Sequence, residues 1–583
     1  MKHIKIIYII SFFLFLLANS GLANNITFAN QDFGAQDTNT HTRIVQFDIS
    51  WENSWRDDEN YDCPWIFLKY STDGGTTWHH GALKTSGTNP SGFNQGSGIG
   101  LDIIVPSDKK GAYLRRTLTG EGTVDTDGIQ LVWDYGTDLG ADAAGDQLAA
   151  FASVRVMGME MCYIPQAPFY VGDYMYAYTY FPTCQPRDRN KSQNIGPYGY
   201  QIMVRTNDVH AMNITCYASY YQSTGPYDDC DTDKNYAGLI AYCYDTVGAP
   251  SSCPGIWFDG GLGIARTNST YDETDFNTNW PTGFKAFYLA RYEVSQAQYR
   301  DFLNTLTPAQ AVNRYVGSAH ISEARFGLKA DNGIYGCDLN DNGIFDENSD
   351  GECIPSSVNT CNDGFAYNDW CATRLITDFE FEKAARGTNA PVQFERAGGY
   401  GGASIYPTSY NNSGAADEAP SNNGESEAWM LYNITSLGPL RCGALATDSS
   451  SRKKANAGYY GCMDLSGNIF ENCISVGTTK GRSYTALHGN GELTASGYAD
   501  VTDWPGGEGL STYGAGYNYL ADRAIANRGG GWDTTPGSQT GGLPVYLASR
   551  ALNTLIWNYN WPGTSISGKW RNSNGLRGGR TAE

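Results

Sequence analysis

The sequence predicts an α+β protein: an all-β, sandwich-like domain at residues 24–152, followed by a larger, loop-rich mixed domain at residues 153–583. Three observations lead to this prediction. Apolar and polar residues alternate in the first region, which is typical of half-buried strands. Two segments of the second region carry helix-start signals followed by apolar residues at helical spacing. Removal of residues 1–23 from the 583-residue chain leaves 560 residues, too many for one small domain.

Residues 1–23 have the features of a secretory signal peptide. Lys2 and Lys5 precede the apolar run Ile6–Leu17, and small residues follow it up to Ala23. A transmembrane anchor is the alternative, but the run is short for a bilayer and no second apolar span follows. We therefore expect an exported protein that is secreted or held at the cell surface.

The composition fits an extracellular protein and disfavours some partners. All fourteen cysteines follow the expected cleavage site, from Cys63 to Cys473. In an oxidising compartment they are expected to form disulfides, whose pairing the sequence does not give. The formal charge of −21 becomes −23 when Lys2 and Lys5 leave with the signal peptide. Such a charge disfavours nucleic acid and anionic membranes as partners and favours cations.

Three stretches predict strands in the first domain. Apolar and polar residues alternate in IVQFDISW (44–51). The stretch WIFLKYSTDGGTTW places apolar residues on both sides of an Asp-Gly-Gly hairpin signal at 73–75, and a further strand is expected at 129–135. Core packing explains the tryptophans here, with a carbohydrate-binding surface as the alternative. His79 and His80 have no evident third ligand, so no metal site is expected there.

Two helices are predicted in the second domain. Ser295 with Gln298, and Thr377 with Glu380, match the capping box of a helix N-terminus. Apolar residues at helical spacing follow each pair, so both helices are expected to be structural parts of the core. Arg374, just before the second helix, is expected to be an internal salt-bridge partner rather than a substrate ligand.

The segment CDLNDNGIFDENSDGEC at residues 337–353 has the oxygen spacing of a calcium loop. Alternating positions direct side-chain oxygens to one centre, and a glycine permits the sharp turn between them. The predicted ligands are Asp338, Asn340, Asn342, Asp346, Asn348 and Asp350. Position twelve holds Ser349 where an EF-hand has a bidentate glutamate, so the loop is more similar to the calcium repeats of thrombospondin or dockerin type. A solvated acidic turn is the alternative.

Six segments of the chain occur in the order found in one known family. They are MEMCYIPQAPFYVGD (159–173), FYLARYEVSQAQYRDFLN (287–304), DWCATRLITDFEFEKAARG (369–387), GCMDLSGNIFEN (461–472), NRGGGWD (527–533) and the terminal GLR (575–577). Together they resemble the formylglycine-generating enzyme (sulfatase-modifying factor) family. The resemblance implies a loop-rich α+β fold related to C-type lectins, here with insertions at about 175–283 and 325–365.

The resemblance also implies two metal sites. In the family, the segment matching GNIFEN supplies a structural calcium ion through an Asn and a Glu, which are Asn468 and Glu471 here. Active members oxidise a substrate cysteine with copper held by two cysteines near the C-terminus. The matching positions here hold Leu547 and Gly578, and copper(I) selects soft thiolate ligands. Calcium is therefore the expected cofactor, and copper is not expected.

A candidate binding surface lies in the C-terminal segment 552–574. There, aromatic residues stand among Asn and Ser, a mixture of rigid and adaptable groups that is typical of binding loops. The candidate residues are Trp557, Tyr559, Trp561 and Trp570. Ordinary loop and core packing is the alternative. The partner expected at such a surface is a glycan, a protein or a second copy of the chain.

Two functions follow from these observations. The first is a secreted, calcium-stabilised, catalytically degenerate family member that acts as an extracellular binding or structural protein, with self-assembly at the cell surface as one form of that role. The alternative is an exported formylglycine-generating or related metal-dependent oxidoreductase whose ligands the sequence does not reveal. No catalytic residue is predicted, because the histidines show no facial-triad spacing and no nucleophile or nucleotide motif is present.

Overall fold

The structure, a computed structural model, describes residues 26–173, 200–204, 257–258, 277–315, 325–357, 359–392, 395–400, 409–421, 438–447, 449–474, 481, 483–502, 504, 525–532, 549–552 and 574–583. Within these residues, strands dominate and the helices are short, which confirms the predicted mixed α+β class. None of these helices has the length and apolar character needed to cross a bilayer. The predicted signal peptide lies outside the described residues.

The first part of the chain consists of strands followed by two short helices. In chain order they are β1 (Thr27–Asp37), β2 (Thr42–Arg56), β3 (Asp62–Ser71), β4 (His79–Gly81), β5 (Gly87–Thr88), β6 (Asn94–Gly98), β7 (Leu101–Val105), β8 (Ala112–Arg116), β9 (Gly120–Trp133), α1 (Tyr135–Leu139) and α2 (Ala143–Phe151). The predicted strand at 44–51 lies within β2, and the predicted hairpin is the antiparallel pair β3–β4. The strand expected at 129–135 ends at Trp133, and α1 begins at Tyr135.

The second part carries the remaining elements. They are β10 (Ser153–Ile164), β11 (Phe169–Asp173), β12 (Tyr200–Val204), β13 (Trp257–Phe258), β14 (Phe287–Ala290), α3 (Gln296–Leu303), α4 (Pro308–Arg314), β15 (Leu328–Asp331), β16 (Ile334–Cys337), α5 (Cys361–Trp370), α6 (Asp378–Arg386), β17 (Tyr410–Asn411), β18 (Ala419–Pro420), α7 (Arg452–Ala455), β19 (Phe470–Ile474), β20 (Ile525–Arg528), β21 (Ser549–Leu552), β22 (Asn574–Gly575) and β23 (Gly579–Thr581).

One sheet joins the two parts. Among the described residues its strand order is β23-β14-β10-β3-β8-β7-β5, with β4 also on β3. Residues 153–162 of β10 pair with β3, and residues 161–164 pair with β14. The domain boundary predicted at residue 152 therefore lies just before β10, the strand that joins the two parts in one sheet. A second sheet, β1-β2-β9-β6, belongs to the first part, and a third, β13-β21-β20-β19-β22, belongs to the second.

Strand β3 is buried on both faces because each face packs into a different core. All ten of its residues are buried, and successive side chains of a strand point to opposite faces. Ile66 and Leu68 join the core of the first part together with β2 and β9. Trp65 and Phe67 join a second core with α3 and α5. Burial on both faces explains the nearly continuous apolar sequence of this strand.

Both predicted capping boxes are present. Ser295 caps α3 and Thr377 caps α6, each with the reciprocal hydrogen bond from Gln298 or Glu380. Thr307 and Thr360 cap α4 and α5 in the same way, although neither was predicted. The predicted salt bridge of Arg374 is also confirmed: its two terminal nitrogens lie 2.8 and 2.7 Å from the Glu380 carboxylate oxygens.

Contacts through Arg580 and His488 bind the C-terminal strand, β23, to the first part of the chain. Arg580 pairs with Asp108, and His488 Nδ1 lies 3.3 Å from the same carboxylate. His488 Nε2 accepts a hydrogen bond from the Thr581 amide at 3.0 Å. Burial, and then the positive charge of Arg580, lower the pKa of His488 to about 3. The neutral imidazole therefore holds β23 beside the first part.

Candidate functional site

Gly578, which the sequence resemblance matches to a copper-ligand position of the family, lies between β22 and β23. Its carbonyl accepts a hydrogen bond from the Ala290 amide at 2.8 Å. A Cβ at this position would lie 2.7 Å from Asn368 Oδ1 and 2.8 Å from Thr373 Oγ1. These two side chains are also bound to each other, at 2.7 Å. The site therefore accepts glycine, and any larger residue requires its neighbours to move. Leu547 lies outside the described residues.

A buried cysteine, Cys371, belongs to the same contact network. Cys371 Sγ lies 3.1 Å from Thr373 Oγ1. Burial raises the pKa of the Cys371 thiol to about 12 and that of Cys353 to about 11. Metal binding and nucleophilic attack both need the thiolate. Burial therefore disfavours the thiolate form of both groups in the metal-free protein.

The described part of the chain does not contain the predicted disulfides. The cysteines found there as free thiols include Cys63, Cys162, Cys337, Cys353, Cys371, Cys442, Cys462 and Cys473. Most of them are buried in the apolar clusters, where a thiol packs as a small apolar group. Cys361 donates to Asn472 Oδ1 at 3.7 Å. The five cysteines of the insertion at about 175–283 lie outside the described residues.

The described histidines do not form a metal-binding cluster. Each contacts a different partner: His41 contacts Asp146, His79 contacts Glu492, His80 contacts the Lys110 carbonyl, and His488 contacts Asp108. In the part of the chain that the structure describes, no three His, Cys, Asp or Glu side chains gather as a group able to hold a metal ion. His210 and His320 lie outside that part.

The predicted calcium loop follows β16 and folds around Asp338. Asp338 Oδ1 accepts a hydrogen bond from the Asn342 amide at 3.0 Å, and Oδ2 accepts one from the Gly343 amide at 3.1 Å. Gly343 has φ of +82°, a conformation that glycine adopts without strain. Lys329 on β15 donates to Asp338 Oδ2 at 2.8 Å. The carboxylate therefore organises the turn and is paired with one ammonium group.

The structure brings Asp350 close to Asp338 but directs Asp346 elsewhere. Burial raises the pKa of Asp350, and the negative charge of Asp338 adds to the rise. Asp350 Oδ2 accepts from the Glu347 amide at 2.8 Å, whereas Oδ1 has no hydrogen-bond partner among the described residues. Asp346 Oδ1 instead lies 2.8 Å from the Arg300 guanidinium of α3. Of the predicted carboxylate ligands, Asp338 and Asp350 therefore lie close together, whereas Asp346 pairs with Arg300.

The three predicted asparagine ligands are exposed. Asn340 Oδ1 accepts from the Asn342 amide at 3.0 Å, and Asn342 Oδ1 accepts from the Ile344 amide at 2.7 Å. A side-chain oxygen has two lone pairs, so each of these two retains capacity for a further contact. Asn348 stands on the outer part of the loop.

Asn468 and Glu471 are both buried, and each is held by other residues. Asn468 Nδ2 donates to Glu293 Oε2 at 2.7 Å, and its Oδ1 accepts from the Leu440 amide at 3.0 Å. Glu471 Oε1 accepts from Arg577 at 3.0 Å. Glu471 Oε2 has no hydrogen-bond partner within the described residues. The segment therefore provides a buried carboxylate oxygen and an asparagine oxygen that accepts one hydrogen bond and retains a second lone pair.

Three buried carboxyl groups, those of Glu293, Asp464 and Glu471, surround Arg577. Burial raises the pKa of all three, and it raises that of Glu471 to about 8 although Arg577 acts in the opposite direction. Asp464 Oδ1, like Glu471 Oε2, is without a partner among the described residues. Of this cluster only Glu471 was predicted. Glu293 and Asp464 were not predicted, although Asp464 lies in the same segment, 461–472, as Glu471.

The remaining predicted site residues are not placed. Trp557, Tyr559, Trp561 and Trp570 lie outside the described residues, so the binding surface stays a prediction. The exposed apolar side chains that the structure does describe are scattered rather than gathered on one segment, for example Leu118, Phe151 and Val312. They do not define a competing surface.

Comparison with known proteins identifies one domain. Residues 255–535 match the family described as the sulfatase-modifying factor enzyme 1-like domain. The matched range includes α3, α5, α6 and the Asn468–Glu471 segment, and it ends before Gly578. A search of curated proteins found no match. The family resemblance drawn from the six segments is confirmed.

Proposed function

Because residues 255–535 are a domain of the formylglycine-generating enzyme (sulfatase-modifying factor) family, we propose that the protein is a catalytically degenerate member of that family. Its role is that of an exported binding or structural protein, stabilised by calcium, outside the cell. The proposal includes the finer fold expectations, a C-type-lectin-like arrangement preceded by a β-sandwich.

The packing around Gly578 is the observation that supports this proposal most. A copper ligand at this position needs a thiol-bearing side chain, and a Cβ there would lie below 3.0 Å from two polar atoms. Cys473 is the last cysteine in the sequence, so a shift in register does not restore the pair. The contacts of Asn368 and Thr373 occupy the space that a ligand side chain would need. The chain thus retains the scaffold without the ligand.

A buried carboxylate cluster fits the structural calcium ion that the family implies. Asp464 Oδ1 and Glu471 Oε2 offer two buried oxygens that lack partners among the described residues. Gly529 allows Glu471 to approach its backbone closely, because a Cβ there would clash with Glu471 Oε2. Oxygen ligands of this kind suit calcium. Asn468, Asp464 and Glu471 would hold the ion, which would supply positive charge to the cluster, and the Asn468 amide would also position Glu293.

The proposed partner surface is the C-terminal segment with Trp557, Tyr559, Trp561 and Trp570. A non-catalytic scaffold acts through binding, and large aromatic side chains supply most of the energy at interfaces. A glycan, a protein or a second copy of the chain fits this chemistry. The net charge of −21 supports the expectation that nucleic acid is not a partner.

Metal analysis of the purified mature protein tests the proposal. We expect calcium to be retained through dialysis, because Asp464 and Glu471 offer buried carboxylate oxygens. We expect copper and iron both well below one equivalent, because Leu547 and Gly578 stand where the family has its copper-binding cysteines. Glu471→Gln is expected to reduce the retained calcium. One equivalent of copper or iron that survives dialysis would instead support the oxidoreductase alternative.

A further inference from the structure

The loop between β16 and residue 351, whose sequence has calcium-loop spacing, is the strongest feature outside the carboxylate cluster. Asp338, at 2% exposure, and Asp350, at 0%, are the buried residues of an otherwise exposed acidic segment. Backbone contacts hold the two ends of the loop together: the Leu339 amide donates to the Asp350 carbonyl at 3.3 Å. Two buried carboxylates on adjacent chain segments repel each other unless a cation lies between or beside them.

The hydrogen bonding of the Asp350 side chain indicates that the loop binds a ligand. One of its carboxylate oxygens accepts from the Glu347 amide, and the other makes no hydrogen bond of good geometry within the described residues, although the Asn340 amide also acts on this carboxylate and lowers its pKa. A buried carboxylate oxygen left without a partner costs on the order of 1–3 kcal/mol or more, so such atoms are rare without an ion or water. The arginine that the loop does contact, Arg300, pairs with Asp346 and Glu352 instead.

We propose that this loop binds one calcium ion between Asp338 and Asp350, with oxygens of Asn340 and Asn342 as further ligands. Calcium accepts six to eight oxygens in irregular geometry, whereas magnesium requires a near-ideal octahedron. Two carboxylates balance the charge of the ion. This inference does not depend on the absence of copper chemistry, because the loop shares no residue with the Gly578 environment or with the Glu471 cluster.

Lys329 holds the place of the cation when calcium is absent. Its Nζ lies 2.8 Å from Asp338 Oδ2 and also pairs with Asp341. Its side chain is 19% exposed and flexible, so the ammonium is free to move into solvent when the ion enters. Calcium and Lys329 thus compete for the same carboxylate. Removal of the lysine charge should strengthen calcium binding.

Bound calcium would fix the insertion against the core. Arg300 of α3 joins the loop through Asp346 and the following segment through Glu352. The Gly351 amide donates to the Gly414 carbonyl at 3.0 Å, which ties the end of the loop to a further segment. An ion that closes the loop stabilises these contacts together, because it binds the folded chain and not the unfolded one.

The test uses the full mature protein and calcium alone as the probe, measured by calorimetric titration and by melting temperature in calcium and in chelator. Extracellular calcium modules bind with Kd of about 10⁻⁴ to 10⁻³ M, so the titration extends into the millimolar range. Asp350→Asn is expected to bind one calcium ion fewer than wild type. Lys329→Met is expected to tighten that site several-fold. Magnesium is expected to compete only weakly.

Asp331→Asn is the matched control, since it makes the same chemical change at an exposed position on the neighbouring hairpin. It is expected to bind calcium as wild type does. In chelator, Asp350→Asn should melt at or above the wild-type temperature, because a buried unpaired charge has been removed. An unchanged calcium stoichiometry in Asp350→Asn overturns the proposal. An equal decrease in the melting temperature of Asp350→Asn in calcium and in chelator also overturns it, because Asp350 would then have a purely structural role.

Discussion

Trp65→Ala is expected to lower the free energy of unfolding by about 3–5 kcal/mol, the usual cost of removing a large buried aromatic side chain. Trp65 is fully buried in β3 and lies between the two parts of the chain. Its indole nitrogen donates to the Cys371 carbonyl at 2.9 Å, and its ring centroid lies 4.9 Å from that of Tyr113. The Arg580 guanidinium lies 4.0 Å from the same ring. Truncation removes all of these contacts and leaves a cavity.

Denaturant unfolding followed by far-ultraviolet circular dichroism measures this loss. Trp78→Ala is the matched control, because Trp78 is half-buried on the β3–β4 hairpin and contacts Arg155 and the Gly75 carbonyl. Its cost is expected to be about 1 kcal/mol or less. Since one sheet joins both parts, probes in each part should report the same transition. Unfolding of one part alone, with the other unaffected, would contradict this view of the sheet.

Arg577→Met is expected to cost about 3–5 kcal/mol at pH values above the pKa of Glu471, because it leaves a buried carboxylate without its counter-charge. The guanidinium also donates to the carbonyls of Ala290, Arg291 and Met463. The pKa of Glu471 is raised to about 8, so this carboxyl is largely protonated at lower pH. The ion pair is then absent in wild type as well, and the cost of the substitution should fall.

The direction of this pH dependence follows from proton binding. In wild type the raised pKa of Glu471 already lowers stability as the pH rises to about 8. Loss of Arg577 raises this pKa further, so the variant continues to lose stability above that pH and the cost of the substitution increases there. Unfolding free energies measured at several pH values in chelator give the trend. Arg115→Met serves as the control: its partner Asp102 is only partly buried, and a cost of about 1 kcal/mol or less is expected. A cost of Arg577→Met that decreased with rising pH would contradict the proposed pairing.

Local features of the fold were accessible from the sequence. A capping box needs only four residues, and Ser295 and Thr377 were located from their neighbours alone. The alternation at 44–51 predicted β2 because the sequence pattern and the strand both involve only neighbouring residues. The apolar run of β3 also predicted a strand, but its sequence does not say which two cores its faces enter.

Features that depend on distant residues were not accessible. Spacing alone placed Asp346 among the calcium ligands, but Arg300, from a separate helix, lies 2.8 Å from that carboxylate. Glu293 approaches Asp464 and Glu471 only in the folded chain, because it lies in a separate segment of the sequence. The contact between Gly578 and the Asn368–Thr373 pair is of the same kind. The sequence shows that residue 578 is a glycine, but it does not show the packing that favours glycine at this position.

Oxidation of a cysteine-containing sulfatase-type peptide, followed by mass spectrometry, tests the central claim most directly. The mature protein is incubated with the peptide, oxygen, reductant and added copper, and an active member of the family is assayed in parallel. We expect no aldehyde above the level of a control without protein, because the described site has no soft ligand for copper(I). Aldehyde formation above that control, abolished by a copper chelator, would contradict the account.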